Sequence, residues 1–306
     1  MLLGLWSAAL YADNSALKVM QELTVCKAGC QFTTIQAAND DERTRAGDTI
    51  LIKDTIHTEG GITLGKSIKI IGDTIPGTIV QAHTQPGKAG DRVFQIQERA
   101  EVTLENLTIR HGKPKGYPSS GGGISNLGSL TLINVLVIEN LARTSGGGIW
   151  NKGTLTILNS KISRNYAERA GPIGKACGAG GGIQNEKGGV LVIENSEISY
   201  NTSDSRGGGL FISCDTKAII KNSNITHNKS TKEGGGISVM GELEMYNSNI
   251  SHNSVGGLAN FGKLSFQNNS IENNTISSDM SNFCKIGKCG TIQLNTNNNI
   301  GTANFE

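Results

Sequence analysis

Three side chains of types used in acid–base chemistry recur at one position of a repeated segment. Arg164, Tyr200 and His227 each lie five residues after an asparagine that returns along the chain. A lyase or epimerase acting on uronic acids needs a base, an acid and a cation that holds the carboxylate, and His, Tyr and Arg are suitable types. The position also coincides with an expected exposed turn, where polar residues need no special explanation. Catalysis by these three residues is therefore one hypothesis, and a solvated turn is the other.

A second position of the repeat could bind a ligand. Trp150, Gln184 and Phe211 each follow the apolar residue that ends a Gly-Gly-Gly motif, and strand alternation places them on the outer face of a sheet. Trp150 and Phe211 would then lie two repeats apart, about 10 Å from each other, as a platform for a glycan or a partner protein. Alternatively, they pack locally, or the insert of residues 166–179 covers them.

Carboxylates are too sparse for two kinds of polysaccharide enzyme. Glycoside hydrolysis needs paired carboxylates, and calcium-dependent lyases need clustered aspartates. Between residues 92 and 278 the sequence has only two aspartates, Asp204 and Asp215. The cysteines and histidines are also poorly spaced for zinc. The sequence therefore predicts no metal and no cofactor.

Charge and hydropathy exclude two classes of partner. The formal net charge is +2, so nothing implies an electrostatic attraction to nucleic acid. No apolar run has the length of a membrane-spanning segment. The oligomeric state is not indicated by any feature of the sequence.

An internal repeat supplies the elements that position the candidate residues. The pattern L-x-[LI]-x-N-x-x-[IV]-x-x-N recurs after the glycine motif, and its alternating apolar positions favour strands. A period mostly in the twenties matches one turn of a β-solenoid, in which equivalent apolar residues stack into a continuous core. One such stack is predicted for Leu104, Leu132, Ile157, Ile193, Ile220, Met245 and Phe266.

The first asparagine of each copy is predicted to be structural. Asparagine tolerates left-handed backbone at a bend, and stacked amides can bond to one another along a column. The members of this column are Asn106, Asn134, Asn159, Asn195, Asn222, Asn247 and Asn268.

The chain is predicted to have three parts. Residues 1–25 form a possible signal or leader segment that lacks a basic start, and the alternative is a buried N-terminal segment. Residues 26–275 form the repeat domain, which begins with a helix over residues 32–45 that covers the open end of the core. Residues 276–306 form a C-terminal cap or tail, and the stretch QLNTNNN at residues 293–299 is too polar for a core.

Six cysteines indicate an oxidising compartment. They are Cys26, Cys30, Cys177, Cys214, Cys284 and Cys289. The first two and the last two are close pairs near the ends of the chain, which predicts local disulfides, with free thiols or a metal site as the alternative. A bridge between Cys177 and Cys214 would tie the insert down over the Phe211 face.

Several segments together resemble a known group of proteins. They are C-x3-C-x-F-T-T-I-Q-A-A at residues 26–38, GDTILI at 47–52, KSIKIIG at 66–72 and the GGGI-x-N…L-x-I-x-N-S-x-I-S-x-N copies. Over residues 26–275 the chain looks like the secreted β-helix proteins of the pectin-lyase-like superfamily. This implies an all-β, right-handed parallel β-helix of about nine coils with an N-terminal helical cap. The GGGI and IxxN pairing is also similar to repeats of polymorphic outer-membrane proteins, which are adhesins.

The resemblance is specific for the fold and says less about activity, because the superfamily includes lyases, hydrolases, epimerases and adhesins. We expect a binding or structural protein that is secreted, periplasmic or exposed at the outer cell surface, with a glycan or a partner protein as its ligand. One alternative is a metal-independent lyase or epimerase acting on acidic glycans. Another is an accessory structural subunit of a larger extracytoplasmic assembly.

Overall fold

The computed structural model describes residues 20–73, 77–169 and 179–275, together with the backbone of short segments between 280 and 305. The chain winds through three parallel sheets and contributes one strand to each sheet in every coil. This arrangement is the predicted all-β, parallel β-helix. The possible leader segment, residues 1–25, lies largely outside the described residues.

Within the described part of the chain, sheets 1, 2 and 3 have 11, 10 and 10 strands. Sheet 1 consists of Glu22–Val25, Thr49–Ile52, Lys69–Gly72, Glu101–Glu105, Ser129–Ile133, Thr154–Leu158, Val190–Glu194, Lys217–Lys221, Glu242–Tyr246, Lys263–Gln267 and Thr291–Leu294. Sheet 2 consists of Ile56–Thr58, Thr78–Gln81, Leu107–Arg110, Leu136–Ile138, Lys161–Ser163, Glu197–Ser199, Asn224–Thr226, Asn249–Ser251, Ser270–Glu272 and Asn299–Ile300. Sheet 3 consists of Ile62–Leu64, Phe94–Ile96, Ile124–Asn126, Ile149–Asn151, Ile183–Asn185, Leu210–Ile212, Ile237–Val239, Leu258–Asn260, Met280–Asn282 and Ala303–Phe305.

Two smaller sheets complete the described strands. A short parallel sheet follows sheet 2 in four successive coils, with the strands Leu141–Ala142, Tyr166–Ala167, Thr202–Ser203 and Lys229–Ser230. An antiparallel pair is formed by Cys284–Lys285 and Lys288–Cys289. In that pair the backbone of Cys284 lies opposite the backbone of Cys289, and a disulfide between them stays a prediction.

The core is the predicted stack of apolar side chains. Leu132 pairs in register with Leu104 on one side and Ile157 on the other, and the same register continues through every coil to Phe266. All seven members of this column are fully buried. Since neighbouring parallel strands lie about 4.8 Å apart, each residue covers the one before it, and no coil could bury its apolar face alone.

The β-helix extends further along the chain than the sequence predicted. Glu22–Val25 pairs with Thr49–Ile52 ahead of the predicted start at residue 26, and strands after residue 275 continue all three sheets. The described strands of the predicted cap or tail, residues 276–306, thus pair with the coils, and they include Gln293 and Asn299 from the stretch that was predicted to be too polar for a core. Backbone pairing at a sheet edge does not depend on side-chain type. Coils without the repeat motif were therefore not counted in the predicted number of about nine coils.

A buried column of asparagines runs along the inside of the corner after sheet 2. Its members are the second asparagines of the motif, Asn140, Asn165, Asn201, Asn228, Asn253 and Asn274. Each Nδ2 from Asn140 to Asn253 donates to the Oδ1 of the next asparagine over 2.9–3.1 Å. The same Oδ1 accepts from the preceding asparagine's backbone N–H. These amides satisfy the buried backbone at this corner.

The first asparagines of the motif have a different role from the ladder that was expected. All seven have φ between 48° and 57°, which confirms the left-handed bend that was predicted for them. Six of them are exposed, and amide bonds along the column are present at two pairs, Asn134 to Asn106 and Asn268 to Asn247. Because this corner faces solvent, water competes for the amides, and the main ladder forms at the buried corner instead.

The N-terminal cap covers the first coil with a short helix. The helix spans Ile35–Asp40, and the Thr34 hydroxyl accepts a hydrogen bond from the Ala37 backbone N–H at its start. It is shorter than predicted, because the backbone of Asp41 leaves the helical region. A disulfide joins Cys26 and Cys30, as predicted. Nowhere in the described ranges is there a helix with the length and hydropathy required to cross a membrane.

His57 ties this cap to the first coil. Its ring is buried and contacts Glu59 at 2.8 Å and Asp54 at 3.2 Å. Glu59 accepts the N–H groups of Ile35 and Gln36 at the start of the helix, and Asp54 accepts the N–H of Lys27. Burial is the largest influence on the pKa of His57 and lowers it, but hydrogen bonds and charge from Glu59 and Asp54 together outweigh burial and raise that pKa.

We expect the free energy of unfolding to depend on pH through His57. A group whose pKa is raised on folding stabilises the protein below its unfolded pKa, about 6.5 for histidine, and loses that contribution as the pH rises through the folded pKa. Urea unfolding of the wild type between pH 5.5 and pH 9 should therefore show that the free energy of unfolding falls above about pH 6.5. The variant His57→Gln should not show this fall. The control variant His83→Gln, which is outside the cap, should show it as the wild type does. Equal pH profiles for wild type and His57→Gln would contradict this assignment.

Candidate functional site

Sheet 3 brings the three candidate ligand-binding residues onto adjacent coils. Trp150 pairs in register with Gln184, and Gln184 pairs with Phe211. Ile149 and Asn151, on either side of Trp150, are fully buried in the interior, which confirms that Trp150 belongs to the outward column. The predicted separation of two coils between Trp150 and Phe211 is also confirmed.

The glycine motif holds this part of the sheet close to its neighbours. Gly146 has a φ of 61°, which favours glycine. A Cβ on the following Gly147 would overlap the carbonyl oxygen of Gly181 in the next coil. The motif is therefore architectural, as its recurrence in each coil predicts.

A groove of about 520 Å³ lies over this column and is called the sheet groove here. Gln184 and Phe211 form its floor, and Tyr117, Ser120 and Thr144 belong to its walls. The wall loops bond to each other from coil to coil, as in the contact of 2.7 Å between the Ser120 and Thr144 hydroxyls. Because these loops rise beside the sheet, Phe211 is 9% exposed and Gln184 is 3% exposed, which favours the alternative of local packing over an open platform for these two residues. Trp150, one coil before Gln184, is partly exposed.

The Gln184 amide is only half satisfied. Its Nε2 donates to the Ser213 hydroxyl at 2.8 Å and to Glu186 Oε2 at 3.4 Å. Its Oε1 is buried and has no hydrogen-bond donor within the described part of the structure. The Glu186 contact fixes the orientation of the amide, since a carboxylate accepts and does not donate. A buried acceptor without a donor costs about 1–3 kcal/mol, so this oxygen is a point where a donor from a ligand would gain free energy.

The residues proposed for catalysis lie together at a different corner. Arg164, Tyr200 and His227 occupy equivalent turns with φ of 54°, 56° and 57°, and each backbone N–H donates to a carbonyl of the next coil. The Tyr200 and His227 rings stack with centroids 4.8 Å apart, and the His252 ring follows at 5.0 Å. The column that the sequence predicted is thus continuous in space.

A second groove of about 460 Å³ borders this column and is called the corner groove. Arg164 and Tyr200 line it, together with Tyr166, Asp204 and Lys229 from the short sheet and the segment after it. His227 stacks behind Tyr200 and is not part of the lining. The structure therefore joins two of the three predicted residues in one groove, with a lysine and a carboxylate that the sequence reasoning had not grouped with them.

The fold can now be compared with known proteins. A family model described as the right-handed beta helix region matches residues 148–306, more than half of the chain. The chain belongs to the right-handed β-helix family. A search of the curated proteins found no match to this β-helix sequence.

Two solved structures resemble this β-helix. The crystal structure of pectate lyase Pel9A aligns with a TM-score of 0.56 and 14% identity, covering 93% of this chain and 78% of that chain. The A-module of mannuronan C-5 epimerase AlgE6 from Azotobacter vinelandii aligns with a TM-score of 0.47 and 13% identity, covering 89% of this chain and 93% of that chain. At such identities the likeness concerns the fold, so the chemistry of this β-helix has to be argued from its own residues.

Two further features concern metal binding and the disulfide that was predicted over the Phe211 face. The residues that the structure describes contain no group of three or more His, Cys, Asp or Glu side chains that could hold a metal ion. Cys214 is exposed and free, and its predicted partner Cys177 lies outside the described residues, as does most of the insert. The structure thus gives no support to the predicted bridge over the Phe211 face.

Sequence reasoning missed the residues that turn flat faces of the β-helix into grooves. Tyr117, Ser120 and Thr144 lie in the loops before the glycine motif, which vary between copies and were not aligned. Lys229 could have been found, because it follows the second asparagine of its copy by one position, and the same position holds Tyr166 and Thr202 in the two preceding coils.

Proposed function

We propose that this β-helix is a glycan-binding protein that works outside the cytoplasm and that the sheet groove is its binding site. The observation that carries the proposal is Gln184, a residue of the groove lining whose buried Oε1 has no hydrogen-bond donor among the described residues. Sugar hydroxyl and amide groups are donors of the kind this acceptor lacks. The aromatic rings of Phe211 and Tyr117 supply apolar surface against which a sugar ring packs.

The charge of the sheet groove favours a neutral sugar. Among its described lining residues Glu186 is the one carboxylate, and no lysine or arginine is present. An anionic ligand would therefore meet a like charge without a compensating cation. The partly exposed Trp150 lies along the same column, where a chain longer than the groove would extend. The Cys26–Cys30 disulfide supports an oxidising, extracytoplasmic location.

Glycan-array screening followed by calorimetry tests this function. The purified protein should bind a neutral glycan, and Gln184→Met should weaken binding by about tenfold or more, because the ligand loses a buried acceptor. Methionine keeps the length of the side chain, so thermal stability should be retained. Gln95→Met is the matched control, since Gln95 lies in the same outward column of sheet 3, outside the groove.

Two results would contradict the proposal. One is the absence of binding to any glycan on the array. The other is a Gln184→Met variant that binds the selected glycan as tightly as wild type and Gln95→Met do. The binding proposal includes no reaction, and the lyase or epimerase alternative for Arg164, Tyr200 and His227 stays a prediction.

A further inference from the structure

The corner groove carries two cations without partners. Arg164 and Lys229 are both exposed, and neither forms an ion pair with a carboxylate among the residues that the structure describes. Other cations nearby are paired, such as Lys161 with Glu197 at 2.9 Å and Arg206 with Glu233 at 2.9 Å. Both side chains can therefore bind an anionic group of a ligand.

The carboxylate in the groove is already engaged. Asp204 accepts a hydrogen bond of 2.7 Å from the Tyr166 hydroxyl and one of 3.3 Å from the Arg169 backbone N–H. Burial and this hydrogen bond raise the pKa of Tyr166 to about 12, so the hydroxyl stays protonated and bound to Asp204. Asp204 keeps its negative charge but is held by Tyr166, and within the described residues it forms no ion pair with Arg164 or Lys229.

The spacing of the cations favours a chain with repeated negative charges. Tyr166, Thr202 and Lys229 pair in register on three successive coils, and Arg164 lies on the first of these coils. Two coil spacings separate Arg164 from Lys229, about 10 Å between backbones. Successive anionic groups of a polymer can bind to both cations at this spacing. Tyr200, which is 50% exposed, lies on the coil between them and lines the same groove.

The donors around Lys229 fit an ester-linked anion with three free oxygens. Thr231 lies two residues after Lys229 and Thr202 lies on the preceding coil, and both line the corner groove. A sulfate or phosphate ester presents three acceptor oxygens, enough for an ammonium group and two hydroxyl groups at once. A carboxylate has two oxygens and pairs best with a single guanidinium fork.

We propose that the corner groove is a second binding site, separate from the sheet groove, for a sulfated or phosphorylated glycan. The ligand lies along the helix axis, with its anionic groups on Arg164 and on Lys229. This inference does not depend on the function proposed for the sheet groove.

Binding of defined polymers tests the second site. Calorimetry at pH 7.5 and constant ionic strength would compare dextran sulfate, phosphorylated dextran, unmodified dextran and polygalacturonate. We expect one or both esterified polymers to bind more tightly than the other two. Whether the sulfate ester, the phosphate ester or both bind distinguishes the sources of the anion.

The variants are chosen to preserve the fold. Arg164→Asn keeps a residue that tolerates the left-handed turn, and Asn273 already occupies this position in a later coil. Arg164→Asn and Lys229→Gln should each weaken binding by about fivefold.

A matched control separates the groove from general charge. Lys152→Gln removes one positive charge from an exposed lysine at the corner between sheets 3 and 1 and should leave binding unchanged. The proposal is overturned if Lys152→Gln weakens binding as much as Lys229→Gln. It is also overturned if polygalacturonate or unmodified dextran binds as tightly as the esterified polymers. Gln184→Met should bind the esterified polymers normally.

Discussion

Replacing Asn201 with leucine is expected to lower the free energy of unfolding by about 4 kcal/mol. The Asn201 amide receives bonds of 3.0 Å from both the backbone N–H and the Nδ2 of Asn165. It also donates to the Ile162 carbonyl at 2.9 Å and to Asn228 Oδ1 at 3.0 Å. Leucine has a similar shape but no polar atoms, so several fully buried groups would lose their partners while the volume is kept. Urea denaturation monitored by circular dichroism measures the loss.

The control is Asn195→Gly in the same coil. Asn195 is exposed and has a φ of 51°, a conformation that glycine adopts without strain. Its removal should change the free energy of unfolding by less than about 0.5 kcal/mol. The two asparagines are six positions apart in one copy of the repeat, so comparable losses at both would show that burial of the ladder is not what stabilises the corner.

The sequence predicted the coils because their architecture repeats. Leu132, Ile157 and Ile193 occupy the same position in three copies of the repeat. Each of them must cover the apolar residue of the coil before it. The outward position of Trp150 followed in the same way from the buried neighbours Ile149 and Asn151. A packing requirement that returns in every coil produces a repeated sequence pattern, which can be recognised in a single sequence.

The grooves could not be predicted on these grounds, because they come from the residues that do not repeat. Gln184 is buried because the loops beside sheet 3 rise next to it, and those loops differ between coils. The two asparagines of the motif also looked equivalent in sequence. Only the path of the chain shows that Asn201 faces the interior whereas Asn195 faces solvent, which decides where the amide ladder forms.

The position of the two grooves follows from the same difference between repeating interior residues and non-repeating outward residues. The interior columns fix the rise per coil, and this rise sets the spacing of every outward side chain, including Arg164, Tyr200 and Lys229. A change inside the β-helix that alters the stacking of coils should therefore affect both grooves together. A change in the outward columns should affect one groove and leave the other unchanged.

Replacing Gly181 with alanine is expected to destabilise the protein by about 3 kcal/mol and to weaken ligand binding in the sheet groove. A Cβ at this position would overlap the carbonyl oxygens of Thr202 and Gly208, which belong to the stacked coil beyond it. Backbone atoms held on both sides by parallel pairing cannot move aside as a flexible side chain can. Gly181 also lies two residues before the strand Ile183–Asn185 that carries Gln184, so separation of the coils would displace the floor of the groove.

Gly188→Ala is the matched control for this steric argument. A Cβ on Gly188 would have no atom closer than the Lys152 carbonyl oxygen at 4.0 Å, although its φ of 90° disfavours alanine. We therefore expect a loss of about 1 kcal/mol from backbone strain alone and unchanged affinity for the glycan selected on the array. Thermal unfolding and calorimetry of both variants measure the difference. If Gly181→Ala were no more destabilising than Gly188→Ala, close approach between coils would not be the reason for the glycine motif.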